Sequence, residues 1–219
     1  AYVRHFDYLA GQQPDKIIAN SKYIAQKIQS YYGRPANVIY PPIHTKKLYF
    51  DPQCKPQEYY LALGRLMGYK RFDLIIKAFN KLGLPLKVVG AGPKETELKN
   101  MAKHNIEFIP YLESDADVQK LYSQAKAFIM ANEEDFGMVM AEAQACGTPV
   151  IAYGAGGAKE IVKKGETGLF FNYPNSDSLI KAIKKFQHLK FDRQIISQTA
   201  ERFSMDNFRE AVQKEVDFT

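Results

Sequence analysis

The chain has 219 residues, of which 46% are hydrophobic, so it can bury one good hydrophobic core. No apolar run approaches the ~20 residues that a membrane-spanning helix needs. The composition excludes a disordered or low-complexity chain. The formal net charge of +6 fits an anionic partner such as a nucleotide diphosphate or a membrane surface, while scattered lysines without interleaved stacking aromatics argue against nucleic acid.

The first part of the chain alternates between helical and extended patterns. The predicted elements are a helix around 2–10, a strand over 17–20, a helix that Ser21 caps and Gly33 ends, and a strand over 37–40. This alternation predicts the tail of an α/β domain in residues 1–42. Charged residues and prolines then predict a linker over 43–57. The absence of a starting methionine and of a signal-peptide pattern favours a fragment or a trimmed chain.

From Glu58 onward, short apolar runs alternate regularly with helical patterns. The strand candidates are 60–64, 86–89, 106–109, 127–130, 150–153 and 169–171. Helices at about 175–189, 192–203 and 205–217 close the chain. Such alternation predicts an α/β fold with a Rossmann-like parallel sheet and helices on both faces. Ligands of such sheets bind at the carboxyl ends of the strands.

An acidic loop, 133–135, follows the fourth of these strands and leads through Gly137 into a helix-forming stretch that stops at Gly147. The open N–H groups and the positive dipole end of such a helix suit an anion that lies against Gly137 and Met138. Glu142 lies roughly 7.5 Å further along the helix axis. One helix can therefore hold a phosphate or sugar at its tip and a hydroxyl pair further down. The simpler alternative is that the acidic loop only caps the helix and complements its dipole.

Basic residues follow the first strand of the predicted sheet. Arg65 comes directly after Gly64, and Lys70 opens the next helix beside Arg71. A guanidinium and an ammonium at this rim can neutralise the charge on a departing nucleotide diphosphate. Solvated loop residues are the alternative, and for Arg71 that alternative is the simpler one.

The two cysteines, Cys54 and Cys146, lie far apart in the sequence and form neither a metal pattern nor a disulfide framework. A reducing compartment is therefore expected, with a cytoplasmic location or one at the inner face of the membrane. Cys146 ends a predicted buried helix and is predicted to be a small core residue. The four histidines fall in no catalytic pattern, and no serine or cysteine nucleophile motif is present.

Several of these motifs together resemble the retaining glycosyltransferases of family 4, which have the GT-B fold. Glu134 and Glu142 are separated by seven residues, Phe-Gly follows the first, and Glu-Ala-Gln-Ala-Cys-Gly-Thr-Pro-Val-Ile-Ala starts from the second. Gly-Arg-Leu at 64–66 and Tyr-Lys-Arg-Phe at 69–72 match the same family. The resemblance implies the C-terminal half of a GT-B fold, with a donor-binding domain over 58–190, C-terminal helices over 191–219 and a remnant of the N-terminal domain before them.

The resemblance also implies roles for individual residues in transfer of a sugar from a nucleotide diphosphate to an acceptor hydroxyl. Arg65 and Lys70 would hold the leaving diphosphate and Glu134 the sugar, and these three are the catalytic candidates. Glu142 would hold the ribose. The donor-binding candidates are Gly64, Tyr111, Phe136, Gly137, Met138, Val139 and Glu142. Tyr111 is equally explained as an aromatic residue that only ends a strand.

The segment from Glu134 to Gly154 resembles mannosyltransferases that use GDP-mannose, and a UDP-sugar is the competing donor. A carbohydrate or a lipid-linked acceptor is implied, with peripheral membrane contact left open. The family's active-site histidine and acceptor loop are not in this sequence, so the chain is expected to bind donor and to lack activity alone. Two alternatives remain: a non-catalytic nucleotide-sugar-binding module and a UDP-sugar 2-epimerase of the same architecture.

Three motifs indicate that neither a metal nor another cofactor is needed. Asp115-Ala116-Asp117 has the spacing with which glycosyltransferases of another fold hold manganese, but with Ser114 it stands before a helix predicted over 118–126, where it serves as a cap. The glycine-rich stretches 90–93 and 154–157 lack the third glycine of a dinucleotide fingerprint. These glycines are expected to let the backbone turn tightly beside a ligand.

Overall fold

The computed structural model describes residues 2–216. The chain begins with a small parallel sheet flanked by two helices. Its elements are α1 (Tyr2–Gln12), β1 (Ile18–Ala19), α2 (Lys22–Tyr32) and β2 (Asn37–Val38). As predicted, Ser21 caps α2 by accepting a hydrogen bond from the Ile24 amide at 3.0 Å, and Gly33 ends it with φ 67°. The strands are shorter than predicted, because only two residues of each pair.

The main sheet has six parallel strands in the order β5-β4-β3-β6-β7-β8. The strands are β3 (Tyr60–Leu63), β4 (Leu86–Val89), β5 (Ile106–Ile109), β6 (Phe128–Met130), β7 (Val150–Tyr153) and β8 (Gly168–Phe171). The helices are α3 (Phe72–Leu82), α4 (Glu95–Met101), α5 (Asp115–Gln124), α6 (Met138–Ala145), α7 (Ala158–Ile161), α8 (Ser176–Phe186), α9 (Arg193–Ala200) and α10 (Met205–Val216). The predicted fold class, a Rossmann-like parallel sheet, is confirmed.

Several of the predicted helix boundaries differ from the structure, and α8, for example, ends at Phe186 rather than at about 189. Helix α5 begins at Asp115 rather than Val118, because the Ser114 hydroxyl accepts a hydrogen bond from the Asp117 amide and so caps the helix three residues earlier. The helix predicted over 192–203 is interrupted, since its last three residues form a 3₁₀ turn. The last residue of the helix predicted to reach 217 lies outside the described residues. No helix among the described residues is long and apolar enough to cross a membrane.

The sheet is covered on both faces, and β3, β6 and β7 are apolar throughout, whereas β4 and β5 carry Lys87 and Glu107. Alternate side chains of β3 show this, since Tyr60 and Ala62 join the core beneath α3 and α8, whereas Leu61 joins the core beneath α5 and α6. Full burial of a side chain such as that of Leu61 contributes about 1.5–3 kcal/mol to stability. The division of the chain into 1–42, 43–57, 58–190 and 191–219 stays a prediction.

The strand order creates a crevice at one edge of the sheet. Strands β3 and β6 are neighbours, and the chain continues from them toward opposite sides of the sheet. Ligands of open α/β sheets bind where the strand order reverses in this way, outside the carboxyl ends of the strands. The segments that leave this point are 64–71 after β3 and 131–137 after β6. Both carry candidate residues.

Candidate functional site

Two cavities open at the carboxyl edge of the sheet. The helix-tip cavity, about 350 Å³, is lined by Asn20, Pro41, Lys70, Glu134 and residues 135–139. The strand-end cavity, about 340 Å³, is lined by residues 63–65, 89–91 and 111–113 together with Asp115 and Val118. The structure thus distributes the predicted catalytic residues over two cavities, with Lys70 and Glu134 in the first and Arg65 in the second.

Helix α6 begins at the helix-tip cavity without a side-chain cap. Gly137 occupies the cap position with φ 101°, a left-handed conformation that glycine adopts without steric strain. No side chain caps the helix, so its first amides have no side-chain acceptor, and the Met140 amide donates to the Gly137 carbonyl at 2.9 Å. The alternative that the acidic loop 133–135 caps α6 is therefore wrong as regards a side-chain cap, and its effect on the helix dipole stays a prediction. Its three carboxylates contact other parts of the chain instead.

Glu134 is held between a cation and an amide. The Lys70 ammonium contacts Glu134 Oε1, and the Asn132 side-chain nitrogen donates to the same oxygen at 2.7 Å. The side chains of Lys70 and Glu134 are only 21% and 20% exposed. Hydrogen bonds to a charged group in such a partly buried place are worth about 1.5–3 kcal/mol each. The pair is therefore well fixed at the wall of the cavity.

Asn132 is a site residue that the sequence analysis missed. It is 5% exposed, and its side-chain nitrogen also donates to the Glu133 carbonyl at 3.1 Å. Its Oδ1 atom is buried and accepts no hydrogen bond from the described residues. The available signal was a polar residue that ends an apolar strand directly before the acidic loop.

Glu142 lies in a different environment from Glu134. It sits on the side of α6 that faces α5, where the Tyr122 hydroxyl donates to Glu142 Oε2 at 3.1 Å. Burial raises the pKa of Glu142, while the Tyr122 hydrogen bond and the charge of nearby His44 oppose that rise. Asp115, which lines the strand-end cavity, also raises this pKa and so lies close by. The two glutamates thus have separate partners, and Glu142 is directed toward the part of the site that contains Asp115.

The other donor-binding candidates are distributed over the two cavities. Gly64 and Tyr111 line the strand-end cavity, and Tyr111 is 72% exposed. Met138 is 43% exposed and, with Val139 and Gly137, lines the helix-tip cavity. Phe136 lines that cavity too, but its side chain is buried.

The Phe136 ring packs in the core. The ring stacks on Tyr40 at 5.6 Å between centroids and meets Phe203 edge-on at 5.2 Å. Tyr40 belongs to the segment after β2, and Phe203 follows α9. Phe136 is therefore packed against two parts of the chain that are distant in sequence.

The glycines at 154–157 support the acidic loop. The Gly157 amide donates to the Glu134 carbonyl at 2.8 Å. A Cβ atom at Gly156 would overlap that carbonyl oxygen, and one at Gly157 would overlap the carbonyl oxygen of Phe136. The two glycines thus allow the turn 154–157 to approach the backbone of Glu134 and Phe136 closely. Gly90 does the same for the segment after β3, since a Cβ there would overlap the Gly64 carbonyl oxygen.

The remaining candidates have structural contacts. Asp115 forms an ion pair with Lys47 at 2.6 Å. Cys146 is fully buried, as predicted, and burial raises the pKa of its thiol to about 12, so the thiol stays protonated at neutral pH. Among residues 2–216, no group of three or more His, Cys, Asp or Glu is arranged to hold a metal ion.

Comparison with protein families gives one match that covers most of the chain. Residues 50–203 match the model of the family described as glycosyl transferases group 1. An uncharacterized glycosyltransferase of Methanocaldococcus jannaschii is 29% identical over 205 residues, which cover 92% of this chain and 58% of that protein. A GDP-mannose-dependent alpha-(1-6)-phosphatidylinositol monomannoside mannosyltransferase of Mycolicibacterium smegmatis is 28% identical over 79% of this chain and 53% of that protein. The chain thus spans little more than half the length of these relatives.

Solved structures share the fold. Anabaena HepE in complex with UDP and glucose superposes with a TM-score of 0.79 at 21% identity, covering 96% of this chain and 65% of that one. Sucrose-phosphate synthase from Thermosynechococcus elongatus gives a TM-score of 0.82 at 19% identity, covering 98% and 60%. At these identities the likeness shows the fold, the Rossmann-like C-terminal half of a GT-B architecture.

Proposed function

The chain belongs to the glycosyl transferases of group 1, and from that premise we propose that it is the donor-binding part of a retaining glycosyltransferase. The proposed reaction moves a sugar from a nucleotide diphosphate to the hydroxyl of a carbohydrate or lipid-linked acceptor. The observation that carries the proposal is the helix-tip cavity, where the uncapped start of α6, the ammonium of Lys70 and the carboxylate of Glu134 surround one space.

The cavity offers a diphosphate one ammonium and the start of a helix, and the carboxylates of Glu134 and Asp135 also line it. A helix N-terminus carries roughly half a positive charge and presents free N–H donors. Lys70 adds a full positive charge within the same cavity. Donors that are fixed before the reaction stabilise the negative charge that develops on a leaving diphosphate without reorganisation. Lys70 and the amides of Gly137 and Met138 are therefore the proposed groups that bind the leaving diphosphate.

In the proposed complex, Lys70 and Glu134 bind different parts of the donor. A phosphate oxygen competes with Glu134 for the ammonium of Lys70. Glu134 keeps the Asn132 amide as a partner at 2.7 Å, so its carboxylate stays in place and can accept hydrogen bonds from sugar hydroxyls. The proposed role of Glu134 is thus to orient the sugar beside the phosphate that leaves it.

We assign the nucleoside to the strand-end cavity. Its apolar lining from Leu63, Val89 and Leu112 suits the face of a base, and exposed Tyr111 lies at its rim. Arg65, which lines the same cavity, would contact the diphosphate from this side. Glu142 Oε1 accepts no hydrogen bond from the described residues, which leaves it available to a ribose hydroxyl.

The proposed donor is GDP-mannose. One relative is named as GDP-mannose-dependent, whereas one solved structure of the same fold contains UDP and glucose. Calorimetric titration of GDP, UDP and ADP into the chain tests both levels of the proposal. Tightest binding of GDP is expected. Tighter binding of UDP would contradict the choice of donor alone, and no binding of any of the three would contradict the function.

A further inference from the structure

Helix α2 contacts the acidic loop with two side chains, although it lies more than 100 residues earlier in the sequence. The Tyr23 hydroxyl donates a hydrogen bond to Glu133 Oε1. The Lys27 ammonium lies 3.8 Å from Asp135 Oδ1 and 4.2 Å from the centre of the Tyr23 ring. The loop's outer carboxylates are therefore bound from the α2 side. The central one, Glu134, is bound by Lys70 at the cavity.

Glu160 of α7 binds the start of α2. The backbone amides of Lys22 and Tyr23 each donate to a Glu160 carboxylate oxygen at 2.9 Å. These are two of the donors that a helix start leaves without intrahelical partners. The Tyr40 hydroxyl adds a third hydrogen bond to Glu160 at 3.0 Å. A carboxylate at this position also complements the helix dipole.

Together, these contacts link α7 to α2, α2 to the acidic loop, and the acidic loop back to α7. Gly157, at the start of α7, binds the Glu134 carbonyl through its amide. Glu160, one turn later, binds the start of α2, and α2 returns to Glu133 and Asp135. The acidic loop is thus held on its backbone by α7 and on its side chains by α2. A loop with three adjacent carboxylates would otherwise repel itself and sample many conformations.

We propose that α2 is a positioning element for the donor site, in which Tyr23 and Lys27 bind Glu133 and Asp135 so that Glu134 stays directed at Lys70 and the helix-tip cavity. This inference rests on the proposed function for its effect on donor binding, but the positioning itself does not need a ligand. Tyr23 and Lys27 do not line the cavity, so they act through the loop.

The positioning is tested by hydrogen exchange without ligand. In the double variant Tyr23→Phe/Lys27→Met, we expect the Gly157 amide, which donates to the Glu134 carbonyl of the loop, to exchange about tenfold faster. The matched control is Tyr31→Phe/Lys22→Met on the same helix, where Tyr31 is 70% exposed and Lys22 uses only its backbone amide toward Glu160. Unchanged protection of the Gly157 amide in the double variant, or an equal change in the control, would overturn the proposal.

The consequence for the donor is tested by comparing ligands with and without the sugar. We expect the double variant to bind GDP-mannose about tenfold more weakly and GDP as tightly as the wild-type chain does, because Glu134 is assigned to the sugar. The conservative variant Lys27→Arg, which keeps a cation beside Asp135, is expected to bind GDP-mannose about as tightly as wild type. Equal losses for both ligands would show a general structural role and overturn the positioning of Glu134. If wild type binds neither ligand, the proposed function fails, and the exchange experiment still decides the positioning.

Discussion

Burial gives Glu142 a different chemistry from that of the other site carboxylates. Its pKa is raised by burial, against the opposing hydrogen bond from Tyr122. Because the folded-state pKa lies above the unfolded one, the contribution of Glu142 to the free energy of unfolding is greatest in acid and is lost as pH rises through the folded pKa. The proposed ribose contact has the opposite pH dependence, since it uses the ionised carboxylate that forms above that pKa.

The variant Glu142→Gln tests this assignment through pH. At neutral pH we expect it to weaken nucleoside binding by about 1–3 kcal/mol, because a charge-assisted hydrogen bond is lost. The difference from wild type should shrink as pH falls through the raised pKa, where the wild-type side chain is itself protonated. Calorimetry with guanosine over a pH series measures it. A difference that stays constant over the whole series would contradict a ribose contact by the carboxylate.

Lys70 is expected to act on phosphate rather than on the nucleoside. Lys70→Ala removes the only side-chain cation that lines the helix-tip cavity among the described residues. We expect the affinity for GDP to fall by about 2 kcal/mol while the affinity for guanosine stays the same, because only GDP carries the charge. Lys94→Ala, which removes an exposed lysine that pairs with Glu97, is the control. Equal losses for GDP and guanosine would place Lys70 outside the phosphate site.

At the scale of single elements, the turn 154–157 supports the acidic loop. Gly157 has φ −61°, which any residue adopts, so only the space beside it requires glycine. A methyl group there would overlap the Phe136 carbonyl oxygen, whereas one at Gly154 would lie at ordinary contact distance, 3.4 Å from its nearest neighbour. The two glycines therefore form a matched pair within one turn.

Gly157→Ala is expected to lower the free energy of unfolding by about 1–3 kcal/mol, the usual cost of an added methyl group in a packed site. It should also weaken binding of the nucleotide sugar, because the Glu134 carbonyl loses its hydrogen bond to the Gly157 amide. Gly154→Ala should change neither quantity appreciably. Urea unfolding and calorimetry on both variants measure this. Equal stability of the two would show that the turn does not support the loop.

The elements of the main sheet were predictable from sequence, because parallel strands buried on both faces leave continuous apolar runs. The two strands of the first sheet were predicted too long, since a run such as 37–40 does not reveal that only Asn37 and Val38 pair. The predicted start of α5 is wrong, because Asp115 and Asp117 occupy the first turn of the helix instead of preceding it.

The site was predictable only where its residues form a local motif. Glu134, Gly137 and Met138 lie within one short segment, and the structure brings them to one cavity with Lys70. Asn132, Tyr23, Lys27 and Glu160 were missed. Tyr23 and Glu133 are 110 residues apart in sequence, and no periodicity or spacing records a contact of that kind. For Phe136, the motif could not indicate that the ring packs on Tyr40 while the backbone lines the cavity.

At the scale of the whole molecule, fixed cations are proposed to perform the electrostatic task that a divalent metal performs in other transferases. Lys70 and the start of α6 lie at one cavity and Arg65 at the other. We therefore expect EDTA to leave the affinity for GDP unchanged, and added manganese to raise it less than twofold. Calorimetry in the two buffers measures this. A strict requirement for manganese would overturn the metal-independent assignment.

The central claim is that a nucleoside diphosphate binds at the carboxyl edge of the sheet, with its phosphates at the start of α6. The most direct measurement is an NMR titration of the ¹⁵N-labelled chain with GDP, followed through the backbone amides. The account predicts the largest shifts at Gly137 and Met138, with further shifts at Gly64 and Tyr111. Saturable binding that leaves Gly137 and Met138 unshifted would contradict it.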